Sequence, residues 1–156
     1  MNRPLSLIVS LVCVFAVHGA QAKSPADGLT ANPAGRVAVA FLDMVFNQKK
    51  VDEAFGTYVG NTYVQHNPGV PDGVEGGRNG LKGLLGKLPQ IRYDFKRVVV
   101  EGEMVVVHSH VRLSDNESDR GEAVVDIYRV QDGKLVEHWD VIQAVPATAA
   151  NRNTMF

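Results

Sequence analysis

The chain has 156 residues, 45% of them apolar, and 16 lysines and arginines stand against 17 aspartates and glutamates for a formal charge of −1. That length and apolar content suggest one domain with a real core. Charges this evenly balanced, with no basic block, argue against nucleic acid or an anionic membrane surface as a partner.

Asn2 and Arg3 precede an apolar run from Leu5 to Val17, and Ala20-Gln21-Ala22 follows it. A charged start, an apolar middle and a small-x-small site define a secretory signal peptide over 1–22, cleaved after Ala22. The run is too short for a bilayer, which needs about 20 apolar residues; the competing reading is a buried N-terminal helix. Cleavage would remove Cys13, so the mature chain would have no disulfide, thiolate nucleophile or thiolate metal site. The expectation is a soluble domain in the periplasm or outside the cell.

Residues 23–33, with two prolines and a glycine, read as a flexible leader. The domain is expected over 34–146, with a tail at 147–156. From Ala34 to Gln48, Val37, Ala40, Phe41, Met44 and Val45 recur at helical spacing. A second helix is predicted over Val51 to Tyr58. "YVQHNPGVPDG" then reads as a strand ending at His66, before Asn67 and Pro68 turn the chain. Leu81, Leu84, Leu85 and Leu88 mark one face of a third helix, ended by Pro89. Gly80, Gly83 and Gly86 each weaken it by about 1 kcal/mol relative to alanine, so packing must hold it.

The period then changes to two. Ile91, Tyr93 and Phe95 alternate with Arg92, Asp94 and Lys96, which predicts a half-buried strand. Further strands are expected over Met104–Leu113, Gly121–Val130 and Leu135–Val145, the last two joined by a turn at Gln131-Asp132-Gly133. Helices followed by antiparallel strands predict an α+β domain, with helices packed on one face of a curved sheet.

Four histidines remain after cleavage, and none falls in a predicted helix. His108 and His110 share one face of their strand, while Ser109 takes the opposite face with Val107 and Val111. That opposite face is the more apolar, which argues against core histidines, yet Met104 and Val106 stand on the histidine side. In the last hairpin, a three-residue loop pairs Asp126 with His138 and Val124 with Asp140. Asp126, His138 and Asp140 then share a face, and Arg129 and Glu137 attract each other on the other. A two-residue loop would instead put Asp126 beside Trp139, because a one-residue slip flips every side chain.

Carboxylates near imidazoles are suited to proton transfer, since an enclosed carboxylate has a raised pKa and imidazole titrates near neutrality. The plainer reading is polar strand surface satisfied by water. His-x-His also starts some metal sites, but no third ligand stands at a spacing that fixes one. The expectation is no metal and no cofactor.

"YVQHNPGVPDGVEG", "VVVHSHVRL" and "VVDIYRVQDGKLVEHWDVIQ" together resemble the SnoaL-like branch of the nuclear-transport-factor-2-like superfamily, from about Ala34 to Val145. The resemblance implies a helix-lined cone on a bent antiparallel sheet. It also implies the chemistry of polyketide cyclases, an aldol-type ring closure without a cofactor, with the acid/base aspartate at Asp140. Limonene epoxide hydrolases, on the same fold, place an aspartate there too. They carry an Arg-x-Asp where this chain has His108-Ser109-His110, which implies that both histidines face the cone and that His66 forms its rim. Lacking that Arg-x-Asp pair, epoxide hydrolysis is the weaker alternative.

The resulting expectation is a cofactor-free acid/base enzyme on a small carbonyl compound, acting by condensation, cyclisation, isomerisation or dehydration. Asp140 would be the base, His108 and His110 would stabilise the enolate, and His66, Asp126 and His138 would orient them. Phe41, Met44, Leu84, Leu85 and Trp139 would line the substrate site. The alternative from a different class is a binding protein for an apolar ligand. A homodimer is expected through an outer sheet face bearing Val105, Val107, Val111 and Val125.

Overall fold

The computed structural model describes residues 23–156; the expected signal peptide, with Cys13 inside it, lies outside the described residues. Helix α1 spans Pro33–Leu42. Asn32 caps it by accepting the Ala34 N–H at 2.9 Å, and Pro33 fits the first turn, where no N–H is needed. The chain continues as a π-helical turn, Asp43–Asn47. Together these bury Ala38, Val39, Phe41, Leu42, Val45 and Phe46. Helix α2, Val51–Tyr58, runs straight into strand β1, Val59–Gln65, and helix α3 covers Gly73–Lys87.

Four strands follow: β2 Arg92–Glu101, β3 Met104–Arg112, β4 Glu122–Gln131 and β5 Lys134–Ala144. With β1 they make one five-stranded sheet in the order β1-β5-β4-β3-β2. The α+β architecture matches the sequence reading, with one difference. β1 runs parallel to β5, so the sheet is mixed rather than wholly antiparallel. A parallel neighbour needs a long crossover, here α3 and three strands, and no local pattern announces such a partner.

The β4–β5 hairpin turns on Asp132 and Gly133, both at positive φ (49° and 72°), as a two-residue type I′ turn requires. A bulge between Arg129 and Val130 then slips the register by one residue, so that Arg129 faces Glu137, Tyr128 faces His138 and Asp126 faces Asp140. The expected pairs of Asp126 with His138 and Val124 with Asp140 are therefore corrected by two places. The grouping of Asp126, His138 and Asp140 on one face stands, because a two-residue loop plus one bulge preserves parity.

Alternation sorts the rest of the sheet. Val105, Val107 and Val111 are 0–1% exposed and belong to the inner face under the helices, which overturns their assignment to the outer face. The core is knitted by aromatic contacts: Phe41 meets Phe55 at 5.5 Å and Tyr128 at 6.0 Å, and Phe46 stacks on Tyr93 at 4.2 Å. Rings at these separations and angles add about 0.5–1.5 kcal/mol per pair beyond the area they bury.

Residues 23–33, expected to be flexible, are docked. Ala26 is fully buried, and Asp27 receives the Arg36 guanidinium at 2.8 Å. The prolines and glycine stand in and beside a turn here. At the other end Phe156 returns to the sheet and stacks on His110 at 4.2 Å. Among the described residues, no helix is long and apolar enough to cross a membrane.

Candidate active site

A cavity of about 490 Å³ lies between α3 and the inner face of the sheet. Its apolar walls are Phe41, Phe46, Tyr93, Leu81, Leu84 and Ile142, and α3 presents bare backbone to it at Gly77, Gly80 and Gly83. The polar end is built by β1, β4 and β5, which bring Tyr63, Gln65, Asn67, Asp126, His138 and Asp140 together.

Asp126 and Asp140 are direct cross-strand partners, yet their surroundings differ. Asp126 is 3% exposed, and its Oδ1 meets His138 Nε2 at 3.1 Å. Its Oδ2 is buried with no partner. Burial, the largest influence, holds the Asp126 carboxyl above the ordinary aspartate range; the His138 hydrogen bond opposes the shift and the nearby Asp140 charge adds to it. Asp140 is half-buried and accepts from Asn67 Nδ2 at 2.7 Å.

His138 is clamped on every side. Tyr128 stacks on its ring at 4.6 Å and Tyr63 at 6.5 Å. Its Nδ1 lies 3.0 Å from Gln65 Oε1, an atom that also accepts the Asn67 backbone N–H at 2.9 Å. Burial, and then the charges of Asp126 and Asp140, push the Tyr63 and Tyr128 hydroxyls up from the usual phenol value. Both therefore remain O–H donors at neutral pH.

Of the expected site residues, Asp126, His138, Asp140, Phe41 and Leu84 line this cavity. The other six do not, and the expectation for each is corrected. His108 and His110 stand on the outer face, paired with Val125 and Ala123. His108 Nδ1 accepts from Arg97 at 3.1 Å, and His110 Nε2 donates to the Arg120 carbonyl at 2.9 Å. Burial and then the Arg97 charge lower the His108 pKa. The inner position between the two histidines belongs to Ser109, which alternates with Val107 and Val111 on the more apolar face; the resemblance to Arg-x-Asp pointed the wrong way.

His66 is also outside the cavity. It lies flat on Trp139 at 4.5 Å and 6°, and its Nε2 donates to Glu137 at 2.9 Å. Glu137 is in turn held by Arg129 at 2.7 Å. Trp139 shares that outer face because it alternates with His138 and Asp140. Met44 packs against the core without reaching the cavity, and Leu85 faces a separate surface depression beside Lys82 and Pro89.

Sequence reasoning missed Asn67, Gln65, Tyr63 and Tyr128. Period two already links Tyr63 to Gln65 and separates both from His66, and that signal was available. What makes Gln65 and Asn67 part of the site is the parallel pairing of Gln65 with His138. Among the described residues, no three His, Cys, Asp or Glu side chains are grouped to hold a metal ion.

Helices packed over one face of a mixed sheet, with a polar-ended cavity between them, make the fold also seen in nuclear-transport-factor-2-like structures. Residues 38–138 match the SnoaL-like domain, and the chain belongs to that family. Among solved structures, a candidate polyketide cyclase from Acidithiobacillus ferrooxidans superposes with a TM-score of 0.62 at 21% identity, covering 72% of this chain and 89% of that one. A candidate polyketide cyclase from Bacillus cereus does so with 0.62 at 22% identity, covering 74% and 80%. A nuclear-transport-factor-2-like protein of unknown function from Cytophaga hutchinsonii gives 0.57 at 15% identity, covering 74% and 91%. At these identities the likeness is one of fold. Among curated proteins, none matches the chain in sequence.

Proposed function

We propose that the protein is a cofactor-free acid/base enzyme acting on a small carbonyl compound, by aldol-type condensation, cyclisation, isomerisation or dehydration. The observation that carries this reading is the pair of carboxylates facing each other across β4 and β5 in unlike surroundings. Asp126 is buried against His138 with a raised pKa, while Asp140 is half-buried and held by Asn67. A carboxyl raised by burial beside a second carboxyl in more polar surroundings is a usual basis of an acid and a base in one site. Asp140 is the base that takes a proton α to the carbonyl, and Asp126 with His138 is the acid that meets the developing oxygen. The raised tyrosines keep hydroxyl donors at the same polar end.

The test works whatever the product turns out to be. Carbonyl compounds that raise the melting temperature are incubated with the protein in D2O, and deuterium at the α carbon is followed by NMR. Exchange that disappears in Asp140→Asn, with melting unchanged, supports the reading. Ligands recovered without deuterium would instead identify a binding protein, a role to which the aromatic walls are also suited.

Assembly and export complete the proposal. The outer face exposes Val64, Val99 and Val141 at 41%, 62% and 62%, and Val106, Val125, Ile127 and Trp139 lie on the same side. A second copy of the chain covering this face gives a homodimer; a monomeric mass in light scattering at micromolar concentration rejects it. Export follows from the signal sequence, and the purified native protein should begin at Lys23.

A further inference from the structure

Which nitrogen of His138 carries the proton follows from the partners of its two ring nitrogens. Gln65 Oε1 accepts from the backbone N–H of Asn67 at 2.9 Å. A backbone N–H is always a donor, so that side-chain atom is the oxygen and cannot be the amide nitrogen. The same oxygen lies 3.0 Å from His138 Nδ1, so Nδ1 must carry a hydrogen. Nε2 is then left to face Asp126 Oδ1 at 3.1 Å, and one proton occupies that line, on nitrogen or on oxygen. Asp126 lines the cavity, and its Oδ2, buried and without a partner, is the carboxyl atom not committed to His138.

We propose that Gln65 is a positioning residue: by holding Nδ1 of His138 as an N–H, it fixes Nε2 on Asp126 Oδ1 and makes Asp126 Oδ2 the atom that delivers a proton to the ligand oxygen. This rests on the acid/base reading above and adds a residue to it. In the delivering state Nε2–H donates to Oδ1 and the second proton of the pair is on Oδ2. The Oδ2–H bond breaks as an O–H bond forms on the enolate oxygen. The electron pair stays on Asp126, and the imidazolium beside it compensates the new carboxylate charge. Without the lock, neutral His138 is free to take the Nε2–H tautomer against an ionised Asp126, and the ring is free to turn. The other groups facing the pair are Tyr63 from β1, Tyr128 from β4 and Asp140 from β5. None of them offers Nδ1 a second acceptor in the structure.

Nitrogen-edited NMR of the imidazole rings tests this without any substrate. In the full-length wild-type chain, His138 should show Nδ1 protonated at every pH at which the fold persists, with no detectable neutral Nε2–H form. In Gln65→Leu the neutral ring should become predominantly Nε2–H, because Asp126 is then its only acceptor. Gln65→Glu restores an acceptor and should restore Nδ1–H. A wild-type ring with bare Nδ1, or a Gln65→Leu ring unchanged from wild type, overturns the proposal. If Gln65→Leu does not fold, the wild-type and Gln65→Glu spectra still decide. Because deuterium exchange by Asp140 is measured separately, a failed tautomer lock and a failed enzymatic reading give different results.

Discussion

Helix α3 carries glycines whose replacement by alanine should have opposite signs along one helix. A Cβ built on Gly83 or Gly86 meets nothing within 4 Å. Each alanine there should gain the full propensity difference, about 1 kcal/mol. At Gly76 the same Cβ would sit 2.3 Å from the Pro71 carbonyl oxygen. Backbone cannot swing aside as a side chain does, so strain of about 1–3 kcal/mol or more should outweigh the propensity gain. Urea denaturation of the three single variants, with a common slope, measures all of these. A stabilised Gly76→Ala would refute the close approach of Pro71 to the helix, and a destabilised Gly83→Ala would show that the helix presents a different face to the sheet. Gly83 also lines the cavity, so Gly83→Leu should keep the fold and lose affinity for any ligand that reaches α3.

Asp126→Asn should change the pH dependence of stability. Burial raises the folded pKa above the unfolded value of about 3.9, so the wild-type contribution is full below that value and is lost as pH rises through the folded pKa. The stability of Asp126→Asn relative to wild type should therefore improve as pH rises from about 4; denaturation curves showing a flat difference refute this. Ser109→Ala should be neutral or stabilising by about 1 kcal/mol in the same assay, since the Ser109 hydroxyl is buried without a partner. Exchanging both His108 and His110 for glutamine should leave ligand-induced thermal shifts as they are, whereas His138→Gln should reduce them; a loss from the first pair would return those residues to the site. If the proposed homodimer forms through the exposed outer face, Val141→Arg there should halve the mass seen in light scattering.

Local periodicity carried the helices, the four consecutive strands and the shared face of Asp126, His138 and Asp140. It carried less where structure depends on partners far along the chain. The bulge at Arg129 moved the hairpin pairs by two places while leaving the faces intact, so a correct grouping rested on incorrect neighbours. At His108 and His110 the alternation of Val105, Val107, Ser109 and Val111 was the sounder guide, because the burial of an apolar stripe has a physical cost if reversed. The family comparison concerned positions on a strand and carried no information about which side chain pointed inward. Asn67 was unreadable as a site residue because its partner, Asp140, is reached only through the parallel β1–β5 pair.

That pairing also dictates when the site comes into being. Asn67 and Asp140, like Gln65 and His138, are 73 residues apart. Contacts of such separation require closure of a long loop and form slowly. During synthesis α1, α2, α3 and the first strands emerge before β5 exists, so the cavity has most of its walls before its polar end is complete. Until β5 zips between β1 and β4, the β1 edge is an unpaired strand carrying Val64, a surface prone to the wrong partner. Ligand-binding competence should therefore be the last property acquired in refolding, after helical signal has recovered, and the β1–β5 seam should be where a bound ligand slows amide exchange most.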